Sequence, residues 1–205
     1  MEYINNLLIP YLVFVLAAAS PGPATLAIMA TSATHGRAAG FRLALGIING
    51  SIIWGILAAF GLVTILTQFA WAFTALKLLG GAYLLWLAAK ALRVAMTKDG
   101  NVKPTAVRMK YLYLQGLALH LTNPKALLSW SAIIAIGVPT GAPLGYLVTL
   151  LAGCAVLAFT IFLGYVLLFS TPRMMQAYVR RRRRINGVLA FVFGAAGVKL
   201  LTSQT

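Results

Sequence analysis

Long apolar runs separated by short polar connections make up most of this chain. A membrane-spanning helix needs about 20 apolar residues to cross about 30 Å of hydrocarbon. By that measure the pattern predicts an all-α polytopic membrane protein with six transmembrane helices. These lie at about residues 6–33, 39–66, 71–94, 111–137, 143–170 and 185–202.

The composition indicates that lipid is the solvent for much of the surface. Apolar residues make up 61% of the chain and charged residues 9%, whereas soluble domains have about 45–50% and about 25%. The single cysteine, Cys154, cannot form an intrachain disulfide, and no Cys/His cluster indicates a metal site. The segment before the first run carries Glu2 and no basic residue, so we interpret this run as a span rather than a signal peptide.

Basic residues are concentrated in alternate connections. The chain has 17 Lys and Arg against two acids, Glu2 and Asp99. Most of the basic residues lie between spans one and two, three and four, and five and six, so the positive-inside rule predicts both termini outside the cytoplasm. The run Arg180–Arg184 could bind nucleic acid, but it lies between apolar spans without interleaved aromatic residues. We interpret it as a topology anchor that attracts anionic lipid.

The two halves of the chain show signs of an internal repeat. An offset of 103 positions aligns Pro21 with Pro124, Gly50 with Gly153, and Gly61 with Gly164. Each half holds three predicted spans, so the second half enters the membrane from the opposite side, as in many inverted-repeat transporters. We therefore divide the chain into a first repeat at 1–97, a basic cytoplasmic linker at 98–110 and a second repeat at 111–205.

Helices 1 and 4 are predicted to break at prolines that occupy matching repeat positions. The first break contains Ser20, Pro21, Gly22 and Pro23, and the second contains Asn123 and Pro124. A proline inside a helix costs about 3 kcal/mol, and the freed backbone groups cannot face lipid. A half-helix N-terminus offers N–H groups that suit a carboxylate. The alternative is a pair of purely structural kinks. In the functional interpretation, the breaks also act as hinges for alternating access.

Lys125 follows the second break and lies far from both ends of its predicted span. A cation there costs about 2.5–3.5 kcal/mol on insertion scales, and no predicted span contains an acid to pair with it. It therefore binds an anionic ligand group such as a carboxylate, loses its proton, or bonds to carbonyls freed by Pro124. The first two alternatives make Lys125 functional.

Other polar residues in the spans are weaker candidates. Asn49 and Ser51 lie near the middle of span two and either line a pocket or join helices. His120 shares a helical face with Asn123 and is either a proton carrier or a hydrogen-bonded core group. No catalytic triad, paired carboxylates or phosphate-binding loop is evident. We therefore expect a protein that is not an enzyme and has no cofactor.

Three motifs resemble those of a known family. SPGPATLAIMATSATHGRAAGFRLALGIINGSIIW resembles the amino-terminal signature of the LysE/RhtB superfamily of amino-acid exporters. LKLLGGAYLLWLAAKALR at 76–93 is similar to the third-helix signature of that family, and TNPKALLSW to its Asn-Pro-Lys motif in the second half. The resemblance covers nearly the whole chain in the right order.

The resemblance implies a six-helix exporter of the bacterial inner membrane, driven by the proton motive force and forming a homodimer. Members often carry an aspartate at the position of Ser51. Because this chain lacks that acid, a basic substrate is disfavoured, and we infer that Lys125 or His120 carries the coupled proton.

Together, these features predict a secondary active exporter of small neutral amino acids or their derivatives. The substrate carboxylate is expected to bind Lys125 and the half-helix amides near Gly22 and Asn123, with Asn49 and Ser51 lining the pocket. The alternatives are a transporter of another small metabolite or an inorganic ion, and, from another class, a non-transporting membrane scaffold.

Overall fold

Every secondary-structure element that the computed structural model describes is a helix. The model describes residues 2–68, 70–97, 109–139 and 141–202. The helices are α1 (Glu2–Ala19), α2 (Pro23–Gln68), α3 (Ala70–Met96), α4 (Leu112–Leu121), α5 (Pro124–Gly137), α6 (Leu144–Leu168) and α7 (Pro172–Thr202), and a short 3₁₀ turn (Met109–Tyr111) precedes α4. The all-α prediction is confirmed for these ranges. Most of the predicted linker, residues 98–108, lies outside them.

Among the described residues, two helical segments are long and apolar enough to cross a membrane, Pro23–Gly61 and Leu144–Leu168. The same residues include three shorter apolar helices, Leu7–Ala19, Leu112–Leu121 and Pro124–Gly137. The predicted first span is thus divided between α1 and the start of α2, and the predicted fourth span between α4 and α5. The number of six spans remains a prediction.

A kink at Gly36 interrupts α2 between predicted spans one and two. Its backbone angles are φ 80° and ψ 179°, a region that only glycine adopts readily. A β-carbon there would meet nothing within 4 Å. Backbone conformation, rather than lack of space, therefore explains the glycine between His35 and Arg37.

Helix α7 differs from the prediction at its start. The sixth span was predicted at 185–202, but the helix begins at Pro172 and includes Arg180–Arg184. Proline suits the first position of a helix, and arginine is a good helix former. The arginine run is therefore helical, and Arg183 Nε donates to the Ala95 carbonyl of α3 at 2.8 Å.

The core lies where α2 crosses α4, α5 and α6, and its fully buried side chains include Ile47, Ile133 and Leu150. Helices α2 and α4 meet backbone to backbone. A β-carbon on Gly46 would lie 2.0 Å from the Tyr113 carbonyl oxygen. Only glycine permits so close an approach.

The outward faces carry large apolar side chains. Phe191 is 77% exposed, Val156 64% and Leu79 63%. Such faces are costly in water but suit hydrocarbon. The exposed surface therefore agrees with a chain embedded in a membrane.

Candidate functional site

Hydrogen bonds satisfy backbone carbonyls at the α1 end of the first helix break. Helix α1 ends at Ala19, whose carbonyl accepts a bond from the Tyr165 hydroxyl of α6 at 2.6 Å. The Ser20 hydroxyl donates to the Ala17 carbonyl at 2.9 Å. Helix α2 restarts at Pro23. The interruption therefore falls at the predicted prolines, and two of the carbonyls at the α1 end have hydroxyl partners.

At the second break, an N-cap residue satisfies the free amides of the helix that follows. Helix α4 ends at Leu121, and Asn123 caps the N-terminus of α5, with Pro124 at the first helical position. The Asn123 side-chain oxygen accepts a bond from the Lys125 amide at 3.0 Å. Its carbonyl accepts from the Ala126 amide at 2.9 Å. Asn123 thus satisfies the amides that would otherwise be free.

Lys125 joins the two breaks. Its Nζ donates to the Ser20 carbonyl at 2.8 Å and to the Ser20 hydroxyl oxygen at 2.5 Å. The side chain also lies against Gly22, where an added β-carbon would be 3.1 Å from Nζ. The lysine and the first proline break, far apart in the sequence, thus form one site.

The electrostatic setting of Lys125 favours an anion from outside the chain. The C-terminal end of α1 carries partial negative charge, which stabilises the ammonium, whereas the N-terminus of α5 is positive and does not. None of the residues that line the two neighbouring cavities is an acid. A lysine has three N–H donors, and in the described structure Ser20 accepts from two. The third is left for a ligand.

The backbone amides at the breaks are less available than the sequence predicts. The Gly22 amide donates to Thr25 Oγ1 at 2.8 Å. The amides after Asn123 donate to its side chain and carbonyl. In this conformation a carboxylate would therefore meet the Lys125 ammonium first, and these amides only after their present bonds break.

An inner cavity of about 40 Å³ lies beside Lys125. A volume of that size holds one or a few water molecules, so this cavity cannot take an amino acid without rearrangement. Its walls combine polar groups with aromatic and aliphatic ones. They include Phe14, Gly22, Thr25, Ser51, His120, Asn123, Lys125, Trp130 and Phe162.

Five of the predicted site residues line this inner cavity, namely Gly22, Ser51, His120, Asn123 and Lys125. The Trp130 indole donates to the Ser51 hydroxyl at 3.2 Å. His120 is 6% exposed and lies edge-on to Phe162, with ring centroids 6.2 Å apart. Its Nδ1 has no hydrogen-bond partner among the described residues. Ser51 and His120 thus share the lining of this cavity with Lys125.

A larger cleft of about 430 Å³ lies on the other side of Lys125. Small-molecule sites typically occupy about 300–1,000 Å³. Its walls come from both breaks, from α3 and from α7. They include Ser20, Pro21, Gly22, Pro23, Trp86, Lys90, Asn123, Pro124, Lys125, Tyr178, Arg182 and Asn186. Gly22, Asn123 and Lys125 line both spaces, so they form the partition between the cleft and the inner cavity.

One predicted pocket residue lies elsewhere. Asn49 is exposed and donates from Nδ2 to the Tyr113 hydroxyl at 2.7 Å. Neither cavity includes it among its lining residues. The structure therefore gives Asn49 a role in joining α2 to α4, and we leave it out of the site.

Sequence reasoning missed several hydroxyl groups around Lys125. The Tyr83 hydroxyl of α3 donates to the Lys125 carbonyl at 3.1 Å, and Thr25 and Tyr165 bond to the first break. Nothing in the local sequence identifies these residues, because each acts across a helix–helix contact. Only Thr25, four positions after Pro21, is close enough in sequence to be noticed.

Comparison with known proteins agrees with the resemblance seen in the sequence motifs. The family described as LysE type translocator matches residues 15–204 of this chain. The threonine efflux protein of Escherichia coli is 28% identical over 94% of this chain and 96% of its own length. An uncharacterized membrane protein of Pseudomonas aeruginosa is 36% identical over 89% of this chain and 88% of its own length.

The leucine efflux protein of Klebsiella pneumoniae is 28% identical over 90% of this chain and 89% of its own length. No solved structure matches the chain. The family match and these relatives confirm the resemblance carried by the three sequence motifs. The chain belongs to the family of LysE type translocators, which are membrane transporters and not enzymes.

Proposed function

We propose that this protein exports a small neutral amino acid, or a close derivative, from the bacterial cytoplasm across the inner membrane. The observation that carries the proposal is the Lys125 ammonium. It lies between two cavities, at the meeting point of two broken helices, with no acid in the lining of either cavity. A substrate carboxylate would supply the missing negative charge.

Ser51 supports a neutral rather than a basic substrate. Its hydroxyl accepts from the Trp130 indole in the inner cavity, at the position where the family resemblance implies an aspartate. A second positive charge on the substrate would find no carboxylate there. The names of the threonine and leucine efflux relatives agree with a neutral substrate.

The packing supports two inverted repeats, with residues 1–97 and 111–205 as the units. The aligned glycines Gly50 and Gly153 each lie against the broken helix of the other half. A β-carbon on Gly50 would meet His120 at 2.9 Å, and one on Gly153 would meet Tyr11 at 2.3 Å. Matching contacts of this kind are expected of a pseudo-two-fold arrangement, in which the Gly/Pro breaks serve as hinges for alternating access.

The sizes and positions of the two cavities support a conformation that is ready to take up substrate from the cytoplasm. The wide cleft lies beside Lys90 and Arg182, which the positive-inside rule assigns to the cytoplasmic side. The inner cavity beyond Lys125 is too small for an amino acid. This arrangement is expected of an exporter that has not yet bound its substrate. Both termini then lie outside the cytoplasm.

Proton antiport is the proposed driving force, with Lys125 or His120 as the carrier. Both line the inner cavity, and the described residues offer no partner to His120 Nδ1. Binding of anionic lipid along Arg180–Arg184 and assembly into a homodimer remain predictions.

Counterflow in proteoliposomes tests the proposal. Vesicles preloaded with unlabelled amino acid receive labelled threonine, leucine, lysine or glutamate, and labelled rubidium tests for an inorganic cation. We expect rapid exchange of threonine or leucine above the level of protein-free vesicles, and slow exchange of lysine.

Exchange of lysine at the rate of the neutral amino acids would overturn the neutral-substrate proposal. Flux of rubidium with no amino-acid exchange would favour the ion transporter instead. The absence of any flux would favour the non-transporting scaffold.

A further inference from the structure

Arg182 differs from the other four arginines of its run. Arg180, Arg181, Arg183 and Arg184 are exposed, whereas Arg182 is half-buried and lines the wide cleft. Its Nη1 atom is buried and has no hydrogen-bond partner in the described part of the chain. A buried guanidinium nitrogen without an acceptor is costly. An anion in the cleft would remove that cost once the Arg182 side chain turned Nη1, which is closed to solvent in this conformation, toward it.

The backbone around Arg182 is held in place independently of its side chain. Asn186, one helical turn further along α7, is 5% exposed and donates from Nδ2 to the Arg182 carbonyl at 2.8 Å. Arg183 Nε donates to the Ala95 carbonyl of α3. The Arg183 bond ties this part of α7 to α3, whereas the Asn186 bond lies within α7. Arg182 lines the cleft beside these contacts.

A second cation faces the same space from α3. Lys90 lines the cleft, and its Nζ lies 5.1 Å from the centroid of the Trp86 ring. The ring stabilises the ammonium through a cation–π contact but does not neutralise it. No residue that lines the cleft is an acid. Arg182 and Lys90 therefore provide positive charge at the cleft wall, and none of the described residues that line the cleft is an anionic partner for them.

We propose that Arg182 and Lys90 form an outer subsite that binds the substrate carboxylate before it reaches Lys125. The inference rests on the proposed export of amino acids and adds a second binding step to it. A guanidinium binds a carboxylate through two parallel hydrogen bonds, while the Trp86 and Tyr178 rings at the wall offer apolar surface to a substrate side chain. Two cationic sites in series would raise the local substrate concentration at the entrance.

The test is uptake into inside-out membrane vesicles, where the cleft faces the added substrate. Arg182→Gln is expected to raise the KM for threonine or leucine about tenfold with little change in kcat, because two charge-assisted hydrogen bonds are replaced by at most one neutral bond from the glutamine amide. Arg181→Gln is the comparison variant, since it removes the same charge one residue away on the exposed surface. Its effect on KM is expected to be several-fold smaller.

Equal changes in KM for the two variants would overturn the subsite, because they would show that only the net charge of the run matters. A lipid phosphate is the other anion that Arg182 could bind. Repeating the measurement in purified proteoliposomes of neutral phosphatidylcholine, and of the same lipid with phosphatidylglycerol, separates the two. An effect confined to the anionic vesicles would assign Arg182 to lipid and contradict the proposal.

A direct binding measurement separates failure of the subsite from failure of the proposed function. Titration of detergent-solubilised wild type with leucine, followed by tryptophan fluorescence, is expected to give a saturable change that Arg182→Gln weakens. If no amino acid is transported but leucine still changes the fluorescence and Arg182→Gln weakens that change, the proposed function fails and the subsite stands. If transport is normal and Arg182→Gln alters neither KM nor the fluorescence titration, the subsite fails and the function stands.

Discussion

At the residue scale, the central feature is a lysine whose polar contacts come from a distant part of the chain. The Lys125 ammonium bonds to Ser20, while its own backbone amide bonds to Asn123. The same three-residue motif thus caps a helix and supplies a cation to the cavity. Substitutions near this charge should change which substrates are transported rather than whether the protein folds.

Ser51 offers a test of charge selection at this scale. Ser51→Asp keeps an acceptor for the Trp130 indole and places a carboxylate in the inner cavity that also contains Lys125. We expect the ratio of lysine to leucine counterflow to rise about tenfold, because the new acid can pair with a second substrate ammonium. Ser51→Asn is the control, since it has a similar shape and no charge. A similar rise of the lysine-to-leucine ratio in Ser51→Asn would contradict the argument that the charge of the new side chain selects the substrate.

At the scale of elements, the prolines predicted the breaks but not what the broken ends contact. Pro21, Pro23 and Pro124 are visible in the sequence, and the helices are interrupted where they occur. The partners of the broken ends come from other helices, such as Tyr83 and Tyr165, which no local pattern identifies. Helix α7 began earlier than predicted because the arginine run was assigned to a connection, although arginine favours helices.

The crossing of α2 and α4 gives a test at this scale. A β-carbon on Gly116 would lie 2.1 Å from the Leu43 carbonyl oxygen, so Gly116→Ala must push the two backbones apart. Overpacking of this kind costs about 1–3 kcal/mol, and we expect a lower unfolding temperature in detergent. Gly164→Ala is the matched control, because a β-carbon there meets nothing within 4 Å. Equal unfolding temperatures for the two variants would refute the close crossing.

At the scale of the whole molecule, the apolar pattern predicted an all-α membrane protein and most of its helices. The arrangement of the cavities could be seen only in the structure. Periodicity cannot show that Lys125 separates a space of about 40 Å³ from one of about 430 Å³. Nor can it show that Asn49 lies outside both. These facts depend on how α3, α5 and α7 pack together. They make Lys125 a shared wall residue of a wide cleft and a small inner cavity.

The most direct test of the central claim compares Lys125→Ala with Lys110→Ala in leucine and threonine counterflow. Lys110 is exposed on the 3₁₀ turn and lines neither cavity, so it controls for the loss of one positive charge. Ser20→Ala is added because it removes one acceptor of the Lys125 ammonium but keeps the charge. Size-exclusion chromatography establishes that each variant is folded.

If Lys125 binds the substrate carboxylate, Lys125→Ala should lower exchange at least about tenfold, Ser20→Ala should lower it less, and Lys110→Ala should match the wild type. Wild-type exchange by folded Lys125→Ala would contradict the account. So would equal losses in Lys125→Ala and Ser20→Ala, because they would show that Lys125 acts only by joining the two breaks.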